Sequence, residues 1–164
     1  MSDVPRVAVL TVSDRCARGE AEDVSGPALV ALCRERLGAT EIATALVQDD
    51  AGSIREQLLA WVRSELPPEL ILTTGGTGLG PRDVTPEATA EVIERRHPAL
   101  LELARLRALP KTPRAFLSRG EAGAVGSTLI VNLPGSPRGA TETLEAMLDV
   151  LPHAVAMLRG GGHH

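Results

Sequence analysis

Aromatic side chains are almost missing from this 164-residue chain, which has one Trp, one Phe and no Tyr. Its core must therefore be aliphatic, and the stacking platforms on which proteins hold unpaired bases are not available. Positive charge is not in excess either. Seventeen Lys and Arg stand against 21 Asp and Glu, giving a formal net charge of −4 and a pI near 5.6. That balance carries no nucleic-acid footprint. No apolar run approaches the ~20 residues of a membrane-spanning helix, and the opening MSDVPR lacks the apolar segment of a secretion signal. The expected setting is the cytoplasm, with neither membrane nor nucleic acid as partner. Cys16 and Cys33 are too few for a disulfide framework, lack metal-ligand spacing and read as reduced thiols. His97 and His153 each adjoin a proline and read as helix-end or surface residues, so no zinc site is expected.

What remains is aliphatic, and it alternates. The runs RVAVLTV (6–12), EIATALV (41–47), ELILTT (69–74) and STLIVNL (127–133) read as buried strands. Between them lie helical patterns. Residues 28–38 put Leu29, Leu32, Cys33 and Leu37 on one face, with Ser25 and Pro27 at the start and Gly38 at the end. Residues 53–66 open on Ser53 and Glu56, spaced as a capping box, and bury Ile54, Leu58, Trp61 and Val62. Thr85 and Pro86 stand as N-cap and first residue of a helix running to about Arg96. Further helices are expected over 99–109, after Ser136-Pro137, and over 152–158, while 110–126 suggests irregular strand pairing. The expectation is one α/β domain over 1–164, a three-layer doubly wound and mostly parallel sheet. Its core would span about 6–158, with 159–164 a flexible tail whose GGGHH, ending in His163 and His164, is either native or a tag remnant.

In such folds ligands bind beyond the carboxyl ends of the strands. Four strand ends stand out: Ser13-Asp14, Asp49-Asp50, GGTGLGPRD (75–83) and NLPGSP (132–137). Each of the short ones also reads as a turn or a helix cap. The glycine loop is harder to explain structurally, since Gly75, Gly76, Gly78 and Gly80 can bend their N–H groups into a concave nest for an anion. It is not a Walker A loop, because no Lys-Ser/Thr follows, and Pro81 stands where a dinucleotide fingerprint needs its third glycine. The parts still suit phosphate: exposed amides, the hydroxyls of Thr74, Thr77 and Thr85, the fork of Arg82, and a helix N-terminus at Thr85-Pro86. Carboxylates beside phosphate repel it unless a cation lies between, so Asp49 and Asp83 read as Mg²⁺ ligands bridging to phosphate oxygens. The residues alone point to a nucleotide- or phosphoester-binding α/β protein.

TVSDR, SGP, TTGGTG…PRDVTPEAT, LSR and LIVNLPGSP stand in an order and spacing that resemble the molybdopterin-binding MogA/MoaB-like family, which includes the G domains of gephyrin and its plant counterpart. The likeness covers about Arg6 to Leu158. It implies a molybdopterin adenylyltransferase, transferring AMP from ATP with Mg²⁺ to the terminal phosphate of molybdopterin and releasing pyrophosphate. It also implies a homotrimer and a downstream molybdenum insertase. The family's two functional aspartates fall on Asp49 and Asp83. Gly75, Gly76, Thr77 and Gly78 would cradle phosphate, and Ser13, Asp14, Asn132, Pro134, Gly135 and Ser136 would line the rest of the cleft. Many relatives carry Pro-Asp-Glu where this chain has Gln48-Asp49-Asp50, so the carboxylate survives and only local rigidity changes. Some MoaB-like members are inactive, and PRDVTPEAT resembles the active branch. Two other readings stand beside the enzyme: a module that binds molybdopterin without chemistry, and an oligomeric scaffold.

Overall fold

The strands alternate faces as a doubly covered sheet demands. In a computed structural model, which describes residues 4–160, Val7 and Val9 of β1 (Val7–Val12) point to one side, and Ala8, Leu10 and Val12 to the other. β3 (Leu70–Thr74) divides likewise, with Leu70 and Leu72 opposed to Ile71. Both strands are buried throughout, which explains their continuous apolar runs. With β2 (Ile42–Val47) and β6 (Thr128–Leu133) they pair in parallel. β5 (Ala122–Val125) and β4 (Arg95–Arg96) extend the sheet antiparallel, giving the order β2-β1-β3-β6-β5-β4.

Helices cover both faces, making three layers. On one side lie α2 (Ser25–Leu37), α5 (Ala99–Ala108), α6 (Pro137–Glu145) and α7 (Leu151–Leu158), with Leu29, Leu101, Leu144 and Leu151 in its core. On the other lie α3 (Ala51–Val62) and α4 (Thr85–Ala90), contributing Ile54, Leu58 and Ala88. The mostly parallel α/β domain expected from the alternation is present. Trp61 packs at the edge of the second cluster, and Phe116 is half exposed, so the core itself is aliphatic.

Several helix boundaries differ from the sequence reading, two through side-chain caps and one through strand pairing. α3 starts two residues early: the Asp50 carboxylate accepts from both the N–H and the hydroxyl of Ser53 at 2.8 Å, so Asp50 is the cap and Ser53 its partner. α2 begins at Ser25 itself, and Asp23 accepts from the Gly26 N–H at 3.0 Å. The helix expected to reach Arg96 ends at Ala90, because Arg95 and Arg96 pair with Ala124 and Gly123. A Cβ on Gly123 would lie 2.5 Å from the Arg95 carbonyl, so only glycine admits that pairing. Residues 110–126 form a 3-10 turn (Pro113–Leu117) and then β5. A short helix, α1 (Asp14–Ala17), had no signal beyond its Ser13 cap. Ser136 caps α6 and Gly38 closes α2 at φ 66°, both as the sequence suggests.

Arg159, read from the sequence as the start of a flexible tail, is bonded to the fold. Arg159 holds Glu69 with two nitrogens, Nη2 at 2.8 Å, and Glu69 is buried at the amino end of β3. His163 and His164 lie outside the described residues.

The register decides where function can sit. Thr11 pairs with Thr74 and Thr74 with Leu133, while Val12 pairs with Val47. Ser13, Asp49, Gly75 and Pro134 therefore emerge side by side at one edge of the sheet. The chain leaves β1 toward β2 on one side, then returns to place β3 on the other. That reversal opens a crevice between the ends of β1 and β3.

Candidate functional site

Two hollows meet at this edge. One, of about 460 Å³, lies between the 3-10 turn and the start of α6, bounded by Arg114, Leu117, Ser118, Ser136 and Thr143. The other, of about 360 Å³, opens on the β1 side and is bounded by Ser13, Cys16, Asp23, Asp49 and Gly75. Gly76, Asp83 and Gly135 line both, so the glycine loop forms a saddle between them.

The loop is held close by the absence of side chains. Gly75 has φ 103°, and a Cβ there would sit 2.2 Å from the Val12 carbonyl. Gly76, at φ 67°, leaves room for the Thr85 hydroxyl and for Asp49 Oδ1. Gly78 and Gly80 both close on the Asp83 carboxylate, which accepts the Gly80 N–H at 2.9 Å. One of the amides expected to cradle an external anion is thus occupied by the loop's own aspartate. Gly75 N–H donates to the Leu133 carbonyl at 3.2 Å and is likewise committed.

Asp14 and Asp49 lock the ends of β1 and β2 together. The Asp14 N–H donates to Asp49 Oδ2 at 2.9 Å, and the Asp49 N–H donates to Asp14 Oδ1 at 3.1 Å. Arg82 reaches across from the glycine loop to Asp14, with Nε and Nη2 each 3.0 Å from a carboxylate oxygen. Burial pushes the Asp14 carboxyl up, but the Arg82 fork and the Asp49 N–H outweigh it, so its pKa lies below the usual carboxylate value. Asp49 goes the other way. Burial raises its pKa, with the charges of Asp14 and Asp83 adding to the rise and the Asp14 N–H opposing it.

The other candidate residues divide into two groups. Thr77, Pro134, Gly135 and Ser136 do line the larger hollow. Ser13 caps α1, accepting from the Cys16 N–H at 3.2 Å, while remaining at the edge of the smaller one. Three expectations need correction. Thr85 is fully buried inside α4 and its hydroxyl donates to the Gly75 carbonyl at 2.9 Å, so it braces the loop and is neither a helix cap nor a free phosphate donor. Asn132 is 1% exposed: its amide donates to Thr73 and Thr89 and accepts from the Glu121 N–H, joining β3, α4 and the start of β5 beneath the site. The Arg82 fork, read as a phosphate donor, rests on Asp14.

Sequence reasoning assigned no role to Arg119. Its Nε donates to the Gly78 carbonyl and its Nη2 to the Asp83 carbonyl, each at 2.8 Å, and its Nη1 pairs with Glu87. That contact draws the Glu87 carboxyl below its ordinary range. The only available signal was the LSR motif (117–119), recognisable by likeness and without a stated mechanism.

A strand-end crevice, a glycine loop and paired carboxylates place this chain among α/β proteins with a ligand crevice beyond their strand ends. The chain matches the family described as a probable molybdopterin binding domain over residues 8–153, and it belongs to that family. It is 39% identical over 155 residues to the molybdopterin adenylyltransferase of Helicobacter pylori strain J99, covering 94% of this chain and 88% of that protein. It is 43% identical to the molybdenum cofactor synthesis protein cinnamon of Drosophila melanogaster, covering 92% of this chain and a quarter of the fly protein's length. The crystal structure of the molybdopterin biosynthesis enzyme MoaB from Thermus thermophilus superposes with a TM-score of 0.89 at 50% identity, over 96% of this chain and 98% of that one.

Proposed function

We propose that this protein acts in molybdenum cofactor biosynthesis as a molybdopterin adenylyltransferase, moving AMP from ATP to the terminal phosphate of molybdopterin. The observation that carries the reading is the saddle, where the glycine loop and Asp83 separate two hollows. An in-line displacement at phosphorus needs nucleophile and leaving group on opposite sides. Two substrates lying in the two hollows, with their phosphates meeting at the saddle, satisfy that need. A phosphate oxygen of molybdopterin bonds to the α-phosphorus of ATP, the bond from that phosphorus to the bridging oxygen breaks, and pyrophosphate leaves with the electron pair. Relatives named molybdopterin adenylyltransferase support the same chemistry.

The carboxylates suit a hard cation. Asp49 and Asp83 each have one oxygen held by a backbone N–H, leaving the other for a metal. Among the described residues no three His, Cys, Asp or Glu side chains cluster. A Mg²⁺ would therefore take these two and complete its shell with phosphate oxygens and water, neutralising charge as pyrophosphate departs. Gly76, Thr77 and Gly78 shape the surface against which phosphate is positioned. A homotrimeric state, a cytoplasmic setting and transfer of the product to an insertase belong to the same reading. Among the described residues no helix is long and apolar enough to cross a membrane.

The deciding experiment incubates the protein with molybdopterin, ATP and Mg²⁺ and follows adenylyl-molybdopterin by chromatography, with Asp83→Asn alongside. Product from the wild type and not from the variant is expected. Tight molybdopterin binding without any product would make the chain a binding module.

A further inference from the structure

A loop rich in glycine has many accessible shapes, and holding it in one requires partners outside itself. Between Gly75 and Asp83, three carbonyls are engaged by a single residue. Arg119 takes Thr77 O with its backbone N–H at 2.8 Å, Gly78 O with Nε and Asp83 O with Nη2. Its remaining arm grips Glu87 in the first turn of α4, so the two ends of the loop's outer half are tied to one rigid plane. Charge-assisted bonds of this kind are roughly twice as strong as neutral ones. The same segment, through Ser118 and Leu117, walls the larger hollow. Among the described residues, Asp83 is bonded only to Gly80, inside this loop, and to Arg119 through its carbonyl.

From these contacts we infer that Arg119 is a positioning residue, whose guanidinium fixes the loop from Gly78 to Asp83 and thereby sets where the Asp83 carboxylate stands. The inference rests on the reading that Asp83 works on substrate phosphate. Arg119 touches no reacting atom. Its fork reaches two carbonyls and a carboxylate at once, which the single ammonium of lysine cannot do.

The test uses Arg119→Lys, which keeps the charge and loses the fork, with Arg119→Ala as the complete removal. Amide hydrogen exchange on the full chain, without substrates or metal, is read first. Gly80, Asp83 and Thr85 amides, all bonded within the loop, should exchange about tenfold faster or more, while β1 and β3 amides stay at wild-type rates. In turnover, kcat should fall roughly 10- to 100-fold, since small misplacements of catalytic groups cost that much, with both KM values within about threefold of wild type. Unchanged loop exchange, a uniform rise across the sheet, or wild-type kcat in Arg119→Lys would each overturn the inference. If the wild type makes no adenylyl-molybdopterin, the proposed reaction fails, and the exchange pattern still decides whether Arg119 fixes the loop.

Discussion

Partial burial raises the pKa of Asp49, and the negative charges of Asp14 and Asp83 add to the rise. A carboxyl whose folded pKa exceeds its unfolded value contributes stability while protonated, and that contribution is lost as pH rises through the folded pKa. At neutral pH the ionised Asp49 therefore works against the fold. Asp49→Asn removes that charge and keeps an oxygen for the Asp14 N–H, so it should raise Tm by about 1–3 °C in a thermal melt. In the same variant, and in Asp83→Asn, turnover should fall by about 10²-fold or more, as when a group that stabilises transition-state charge is deleted. The pH profile follows from the same sign. Activity needs Asp49 ionised, so the acid limb of kcat/KM should lie at higher pH than an exposed aspartate would give. Asp14→Asn keeps the N–H bond to Asp49 and removes a negative neighbour, so it should move that limb to lower pH.

The helix ends and loops around the site depend on single bonds. Ser136 accepts from the Gly139 N–H at 3.0 Å as cap of α6 while also lining the larger hollow. Ser136→Ala should cost about 1 kcal/mol in urea unfolding, and Ser136→Asp should restore most of it. Gly75 is less forgiving. Its positive φ and the 2.2 Å approach of the Val12 carbonyl leave no room for a methyl group, so Gly75→Ala should lose at least about 2 kcal/mol. The boundary error at α3 has a local cause. Nearby residues such as Asp50 and Ser53 both have capping chemistry, and the three-residue spacing that suggests Ser53-Glu56 also fits Asp50-Ser53. Which pair forms depends on where β2 stops, and that depends on its pairing with β1.

Across the whole molecule, the site and its opposite end are stabilised by different means. Far from the strand carboxyl ends, Glu69 is buried against Arg159, with the Arg6 N–H at 3.0 Å adding to the pair. The Arg159 bond outweighs burial and holds the Glu69 carboxyl below its ordinary range. A depressed carboxyl contributes stability above its unfolded pKa and loses it as pH falls through the folded one. Among the described residues, Arg159→Ala leaves the Glu69 carboxylate buried with Arg6 as its one partner, and it should cost about 2 kcal/mol at pH 7, a fraction of the usual penalty for breaking a buried pair. The loss should shrink as pH drops below about 4, where Glu69 protonates first in the unfolded chain and then, at lower pH, in the fold. Urea midpoints for variant and wild type at both pH values check this.

Much of this protein is legible in its sequence because the determining interactions are local. Alternating aliphatic strands and amphipathic helices specify a doubly covered parallel sheet, since each element's apolar face must be buried whatever its neighbours. The glycine loop, with Asp49 and Asp83 as its charged companions, is visible for the same reason: few other roles call for those residue types at strand ends. What only the tertiary structure decided is which polar groups are already used. Asn132 and Thr85 look like ligand-binding residues until the fold brings Thr73, Thr89 and the Gly75 carbonyl to them. Arg119, 36 residues beyond Asp83, acquires its role when the antiparallel return of β5 beside β6 carries it against the glycine loop. Contacts between residues distant in the chain depend on sheet order and register, and no local pattern encodes those.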